Sequence, residues 1–427
     1  MTLYIEKLKI NITSKQTYWS ITDFVLGDFG QAGFYFFDNL PITSIVKNII
    51  LKNLENNNIF LGKRFGSYGI DIADLLHNNY DNTIIEIPVC HLQFCNINDI
   101  VSLSEKYKII FTDLEEGNSY IFSWFDPTTK TTLTGGIDKF LKRSGLNIDN
   151  AFFLNTGFDK IKFCREIKIL NFWVVLTALC SPIIQDIIQN NSESKYLELL
   201  KNREYKKFAV FKNWRARKWR VVLLSLLYDK NLLPNIDWSL VGEYDYKTVP
   251  TTFDLKDFLK FADDVWLDNN VYKEKIDRFF KDNSSVLPKL LDNVSEIDTD
   301  FIIKTYEKDI KRYKFSIDVE TYNSMSEKIV KSFILGYMPI VAYTSKKSYY
   351  IKRIKQLGFH ILDEQFDNVN SIDEIILRML DKIDQLEKTN ETPSYELLKE
   401  NFQKCSNKEI LASYISQPLI DTFRNIT

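Results

Sequence analysis

The chain is poor in the residues that mark out whole classes of protein. Of 427 residues only 14 are glycine and 10 are proline, which excludes a collagen-like sequence and a Pro/Gly-rich disordered chain. Five cysteines (Cys90, Cys95, Cys164, Cys180 and Cys405) are odd in number and scattered. They do not read as a disulfide framework, and a reducing cytoplasm is the expectation. Only three histidines occur, His77, His91 and His360, and none stands in a recognisable triad motif. An excess of either charge is also lacking. Lys and Arg number 55 against 57 Asp and Glu, for a net charge of −2 and a pI near 6.1. Coating nucleic acid by bulk charge is therefore disfavoured, although a local basic patch is compatible with this balance. Long hydrophobic runs are missing too. The longest, Phe172 to Cys180, is about half of the ~18 residues a membrane span needs, and reads as a buried helix running to Pro182. The first twenty residues, interrupted by Glu6, Lys7 and Lys9, do not make a signal peptide.

What is present is ordinary globular material: 45% hydrophobic and 26% charged residues, with 31 Phe and 22 Tyr. The length suggests two domains. From about residue 80, short apolar runs alternate with longer amphipathic ones. Ile84 to Ile87, Lys108 to Phe111 and Ala151 to Phe153-Leu154 are strand signals, and Gly136 to Gly145 reads as a helix with Gly at its end. A second block has a strand at Phe208 to Phe211, a basic turn from Lys212 to Arg220, and a helix from Val221 to Lys230. Further strands are expected at Phe315 to Val319 and Pro339 to Tyr343, and helices at Ser348 to Leu357, Ser371 to Leu386 and through 390–427. Such β-α-β alternation predicts an α/β chain with two Rossmann-like domains facing a cleft. The expected division is 1–200, 201–390 and a helical tail, 391–427, packing across both.

The stretch from Glu320 to Tyr343 carries the most chemistry. Ser326 suits an N-cap, and Ile329, Val330, Phe333 and Ile334 fall on one helical face. Gly336 suits the C-terminal cap, and Pro339 opens the next strand. Glu327 and Lys328 therefore stand in a first helical turn at the C-terminal end of a strand, the edge where open α/β sheets bind ligands. A helix N-terminus with an adjacent Lys can hold a phosphate, and a neighbouring carboxylate can accept the hydroxyls of a ribose. On spacing alone, an ordinary capped turn with Lys328 in water is the better fit, since Ser-Glu-Lys is common. Arg215, Arg217 and Arg220, between a strand and a helix, form a fork of donors for diphosphate oxygens. With Trp214 and Trp219 beside them, a solvated basic face or a nucleic-acid contact is also open.

The Ser326-Glu327-Lys328 segment, with Ile329 onward and Met338-Pro339-Ile340-Val341, resembles the donor-binding motif of GT-B glycosyltransferases of the α-1,3-fucosyltransferase and exostosin-like kind. There a Thr-Glu-Lys opens the helix, so Ser326 is a departure; Tyr343-Thr344-Ser345, where a Gly is usual, is another. Ile354 to Phe359 and Asp363-Glu364-Gln365-Phe366-Asp367 are similar to a run in phage-borne members. Asn213 to Val221 looks like their Arg-rich strand-loop-helix element. The resemblance covers about residues 205–385, and more weakly 80–160, and implies a metal-independent transferase using a UDP- or GDP-sugar, with no tightly bound cofactor. By it, Arg220 meets the donor pyrophosphate with Arg215, Arg217, Ser326 and Lys328, and Glu327 holds the ribose. The acceptor implied is a hydroxymethylated base of phage or viral DNA, or else a glycan or protein. A non-catalytic nucleic-acid-binding protein of the same fold is the alternative from another class.

If the donor occupies the C-terminal half, the base comes from the other. Asp113, Glu115 and Glu116 follow the strand Lys108 to Phe111, and Asp113 or Glu116 is the candidate to take the acceptor proton. Metal signals are poor. Asp298-Thr299-Asp300 follows polar residues rather than a strong strand. Cys90-His91 with Cys95 lacks a second ligand pair. Gly27 to Gly33 (GDFGQAG) is not a dinucleotide fingerprint.

Overall fold

A computed structural model describes residues 1–9, 20–26, 41–114, 121–126, 129–157, 160–212, 218–240, 271–289, 291, 307–310, 312–320, 327–343, 349–362 and 371–424. The strands are β1 (Leu3–Lys9), β2 (Ile59–Leu61), β3 (Ile70–Asp71), β4 (Thr83–Pro88), β5 (Lys108–Asp113), β6 (Phe122–Asp126), β7 (Thr131–Gly135), β8 (Ala151–Asn155), β9 (Arg165–Lys168), β10 (Lys207–Phe211), β11 (Ile236–Trp238), β12 (Tyr313–Glu320) and β13 (Met338–Tyr343). They form a parallel sheet ordered β2-β1-β4-β5-β8-β9 with β3 beside β1, a second parallel sheet ordered β11-β10-β12-β13, and the antiparallel hairpin β6-β7. The chain is thus of the expected α/β class, with two Rossmann-like sheets.

The three expected strands of the first sheet are β4, β5 and β8. They are buried at nearly every position, as strands covered on both faces must be. Alternation does not begin near residue 80, however. It begins with β1, whose sequence LYIEKLK looks charged but whose Glu6 is fully buried. The Glu6 carboxylate accepts the backbone N–H of Arg64 at 2.9 Å and of Phe65 at 3.3 Å, so the charge is answered inside the fold. From β1 the chain moves to β2 on one side and β4 on the other, and the switch point lies between β1 and β4. In the second sheet β10 is followed by β11 on one side and β12 on the other, which sets the switch point between those two.

The helix expected from Val221 begins earlier, at Lys218, and runs to Asp229. The first turn is therefore made of residues anticipated as a basic turn; Trp219 packs on the core and Arg220 is buried. Helix Phe172–Cys180 ends before Pro182, which instead opens Pro182–Asn190 at a bend of 80°. No single helix among the described residues is long and apolar enough to cross a membrane. Phe172–Cys180 is buried almost throughout and packs against helix Glu327–Leu335 of the second sheet, so one apolar core runs through both sheets.

The last two helices return along the molecule. Tyr395–Ser406 packs against Glu327–Leu335, where Asn401 accepts the His360 N–H at 2.8 Å and donates to the His360 carbonyl at 2.8 Å. Lys408–Arg424 packs against helix Pro41–Glu55 of the first sheet. There Phe423 meets Phe152 of β8 with ring centres 5.9 Å apart, and Asn53 donates to the Ser416 hydroxyl at 3.2 Å.

Candidate active site

Helices follow β10 and β12 and start from the C-terminal edge of the second sheet, flanking its switch point. The register Val210↔Ser316 brings β10 to its end at Phe211, while β12 runs on to Glu320. Arg220, in the first turn after β10, reaches across this step. Its Nε donates to the carbonyl of Val319 at 3.1 Å, and only 5% of the residue is exposed. One nitrogen of a five-donor fork is thereby fixed to the sheet edge, which sets the plane of the guanidinium. Asp318, adjacent in sequence to Val319, is buried and accepts the Ser316 hydroxyl at 2.8 Å.

On the other side of the switch point Glu327 opens helix Glu327–Leu335 and Lys328 follows, half-buried. The helix is held by the apolar positions read from its periodicity. Ile329, Val330, Phe333 and Ile334 are fully buried, and Phe333 stacks on Phe359 with ring centres 4.5 Å apart. Gly336 ends it at φ 67°. A Cβ there would stand 2.0 Å from the Leu200 side chain, so both the backbone angle and the space call for glycine. Two helices that each carry a cation in the first turn, Arg220 and Lys328, thus follow the neighbouring strands β10 and β12, and backbone N–H groups, dipoles and point charges at such helix starts favour an anion. Arg215, Arg217 and Ser326 lie outside the described residues.

At the corresponding edge of the first sheet Asp113 is the last residue of β5, in register with Asn155 of β8. The sequence places it after the strand, but the strand runs on to include it and it is buried, and the Thr156 hydroxyl lies 3.4 Å from its carbonyl and from that of Leu114. Glu115 and Glu116 lie outside the described residues, as do Gly27 to Gly33 and Asp298 to Asp300. Among the described residues no group of three His, Cys, Asp or Glu side chains comes together as a metal site. His91 is buried, and its pKa is lowered to about 3 by burial and then by the charge of Lys7. Burial pushes the Cys95 thiol up to about 12.

Sequence reasoning missed a cluster at the first switch point. Lys7 of β1 is the register partner of Glu86 of β4, and the Lys7 ammonium meets the Asp23 carboxylate at 2.5 Å. Glu86 is fully buried. It accepts the N–H of Ile21 at 2.5 Å, the N–H of Thr22 at 3.0 Å and the Thr22 hydroxyl at 2.5 Å, fastening helix Ile21–Leu26 to the sheet. Burial raises its pKa to about 7, with the charge of Asp23 adding to the rise and the three hydrogen bonds opposing it. The signal in the sequence was one charged residue inside the apolar run Ile84 to Ile87.

The chain matches no family model and no curated protein. Among solved structures it is similar to HepE of Anabaena, in a complex with UDP and glucose. The identity is 10%, the coverage 99% of this chain and 100% of that one, and the TM-score 0.37.

Proposed function

We propose that the protein transfers a sugar from a nucleotide-sugar donor to an acceptor hydroxyl. The reading is carried by Arg220, a buried cation pinned to Val319 at the second switch point, opposite the helix that begins Glu327-Lys328. A nucleoside diphosphate suits cations and helix starts so arranged at a sheet's C-terminal edge. In this reading Arg220 and Lys328, with Arg215 and Arg217 nearby in sequence, bind its phosphate oxygens, the N–H groups of the first turn of helix Glu327–Leu335 add donors, and Glu327 takes the ribose hydroxyls.

In the reaction the bond between the anomeric carbon and the terminal phosphate oxygen breaks, and its electron pair leaves with the diphosphate. The acceptor oxygen bonds to the anomeric carbon and its proton passes to a carboxylate, for which Asp113 and Glu116 are the candidates. Negative charge grows on the leaving phosphate, and a cation whose plane is already set stabilises it without reorganisation. A protein that supplies these cations from Arg and Lys has no need of a metal for this step.

The test is a thermal-shift screen against UDP, GDP, CDP, ADP and their sugars. A ligand at 100 times its Kd adds about 2.7 kcal/mol, which for a chain of this size raises Tm by about 3 °C. A rise with one nucleotide, lost in Lys328→Ala and cut to about half or less in Arg220→Lys, supports the reading. Absence of any rise in the wild type overturns it.

A further inference from the structure

The connection from β5 to helix Ile137–Ser144 runs from Leu114 to Gly136, several times the ~2–6 residues usual between a strand and a helix. The excess includes the β6-β7 hairpin, whose first strand packs against the turn Val89–Phe94 that follows β4 at the C-terminal edge of the first sheet. Its inner face is fixed. Phe122 and Trp124 are buried and pack on Phe140 of the helix, with ring centres 5.6 and 5.5 Å away, and Phe140 meets Phe111 of β5 at 6.2 Å.

Its outer face is different. Strand alternation turns Ile121, Ser123 and Phe125 outward, and the register Ser123↔Thr134 and Phe125↔Thr132 puts two threonines beside them. Ile121 is 67% and Phe125 57% exposed, and the Ser123 and Thr134 hydroxyls bond to each other at 2.8 Å. Two large exposed apolar groups, Ile121 and Phe125, on one face of a hairpin call for an explanation that singly scattered surface residues do not. None of these five side chains carries a charge. Lys139, alongside, directs its ammonium to the Thr134 carbonyl at 2.6 Å, and Lys130 belongs to the turn at the tip.

We propose that this outer face is the acceptor platform and that the acceptor is a neutral carbohydrate chain. The inference rests on the transferase reading above and names its second substrate. A sugar ring presents a C–H face that packs on Phe125 and Ile121, and a rim of hydroxyls that pairs with Ser123, Thr132 and Thr134. Single-stranded nucleic acid would also stack on an aromatic ring, but its phosphates require cations along the same groove, and this row supplies none. The hairpin stands at the C-terminal edge of the first sheet, the edge at which β5 ends in Asp113.

Two measurements separate this inference from the donor reading. The first uses no donor: saturation-transfer NMR of maltose, cellobiose, lactose and N-acetyllactosamine with the wild type, Phe125→Ala and Phe125→Trp. The expected result is transfer to at least one disaccharide, lost in Phe125→Ala and kept in Phe125→Trp. No transfer to any of the four, or transfer indifferent to Phe125→Ala, overturns the platform whatever the donor does.

The second measures nucleotide diphosphate release from the donor that the thermal-shift screen identifies. The same saccharides and a duplex containing hydroxymethylcytosine are offered as acceptors. A saccharide should accelerate release above the rate in water, and Phe125→Ala should raise its KM about tenfold while leaving donor hydrolysis in water unchanged. Acceleration by the duplex alone overturns the proposal in favour of a DNA acceptor.

Discussion

Glu86 offers a measurement in which sign and size both follow from the structure. Its carboxyl ionises at about 7 when folded, against an ordinary value of 4.5, because burial outweighs the three hydrogen bonds from Ile21 and Thr22. Between those two values the folded chain holds a proton that the unfolded chain has released. Stability from this group is therefore greatest below pH 4.5, falls as pH rises towards 7, and levels off above it. At 1.36 kcal/mol for each pH unit the fall is about 3 kcal/mol. The Glu86→Gln variant cannot ionise and should lose this slope. Its amide nitrogen faces an N–H donor, which adds a constant penalty and leaves the slope unaffected.

His91 makes the variant indispensable. Its folded pKa of about 3 lies below the ordinary 6.5, so its contribution is present above pH 6.5 and is lost as pH falls. Between 4.5 and 6.5 the two groups slope in opposite directions and partly cancel in the wild type. The assay is urea unfolding of parent and variant at half-unit steps from pH 4.5 to 8.5. The Glu86→Gln chain should gain about 3 kcal/mol relative to the parent across that range. If the difference is flat with pH, Glu86 is not a carboxyl held neutral by burial and the reasoning fails.

Further outcomes are expected from other sites. His91→Phe should show the complementary behaviour, with less loss of stability below pH 6.5 than the parent in the same urea series. Arg220→Lys keeps the charge but loses the fork, and nucleotide affinity by calorimetry should fall about ten- to a hundredfold, the size of one or two charge-assisted hydrogen bonds. Asp113→Asn should lower kcat by about 10²–10⁴ if that carboxylate takes the acceptor proton. The Kd for the nucleotide should not change, and Glu116→Gln in the same assay decides between the two. Asn401→Ala removes both hydrogen bonds to the half-buried His360 backbone; a loss of about 1–2 kcal/mol is expected by urea unfolding.

The helix Glu327–Leu335 was legible because its information is local. Ile329, Val330, Phe333 and Ile334 recur at helical spacing, Gly336 closes the last turn, and Met338 onward reads as a strand. β4, β5, β8 and β10 were legible for the same reason, as short apolar runs between turns. β1 was not, since Glu6, Lys7 and Lys9 make it look solvated. What permits the strand is Arg64 and Phe65 offering their N–H groups to Glu6, an arrangement that only tertiary structure creates. The same holds for Arg220. Its type and place beside a strand could be read, but its burial depends on Val319, far along the chain. The hairpin did leave a trace, in the alternation of Phe122 and Trp124 with Ile121, Ser123 and Phe125. Lacking an Asn-Gly or Asp-Gly turn, it had little else to announce it.

The return of the last helix to the first sheet bears on how the protein is made. Ile42, Val46, Ile50 and Leu54 lie on the helix that Lys408–Arg424 covers, and Phe152 waits for Phe423. During synthesis these apolar groups leave the ribosome hundreds of residues ahead of the segment that shelters them, an interval of tens of seconds at ordinary elongation rates. For that time the N-terminal sheet is a sticky, incomplete body, dependent on chaperones or on rapid translation. A lesion near residue 420 would be felt first as aggregation of the half that was synthesised first.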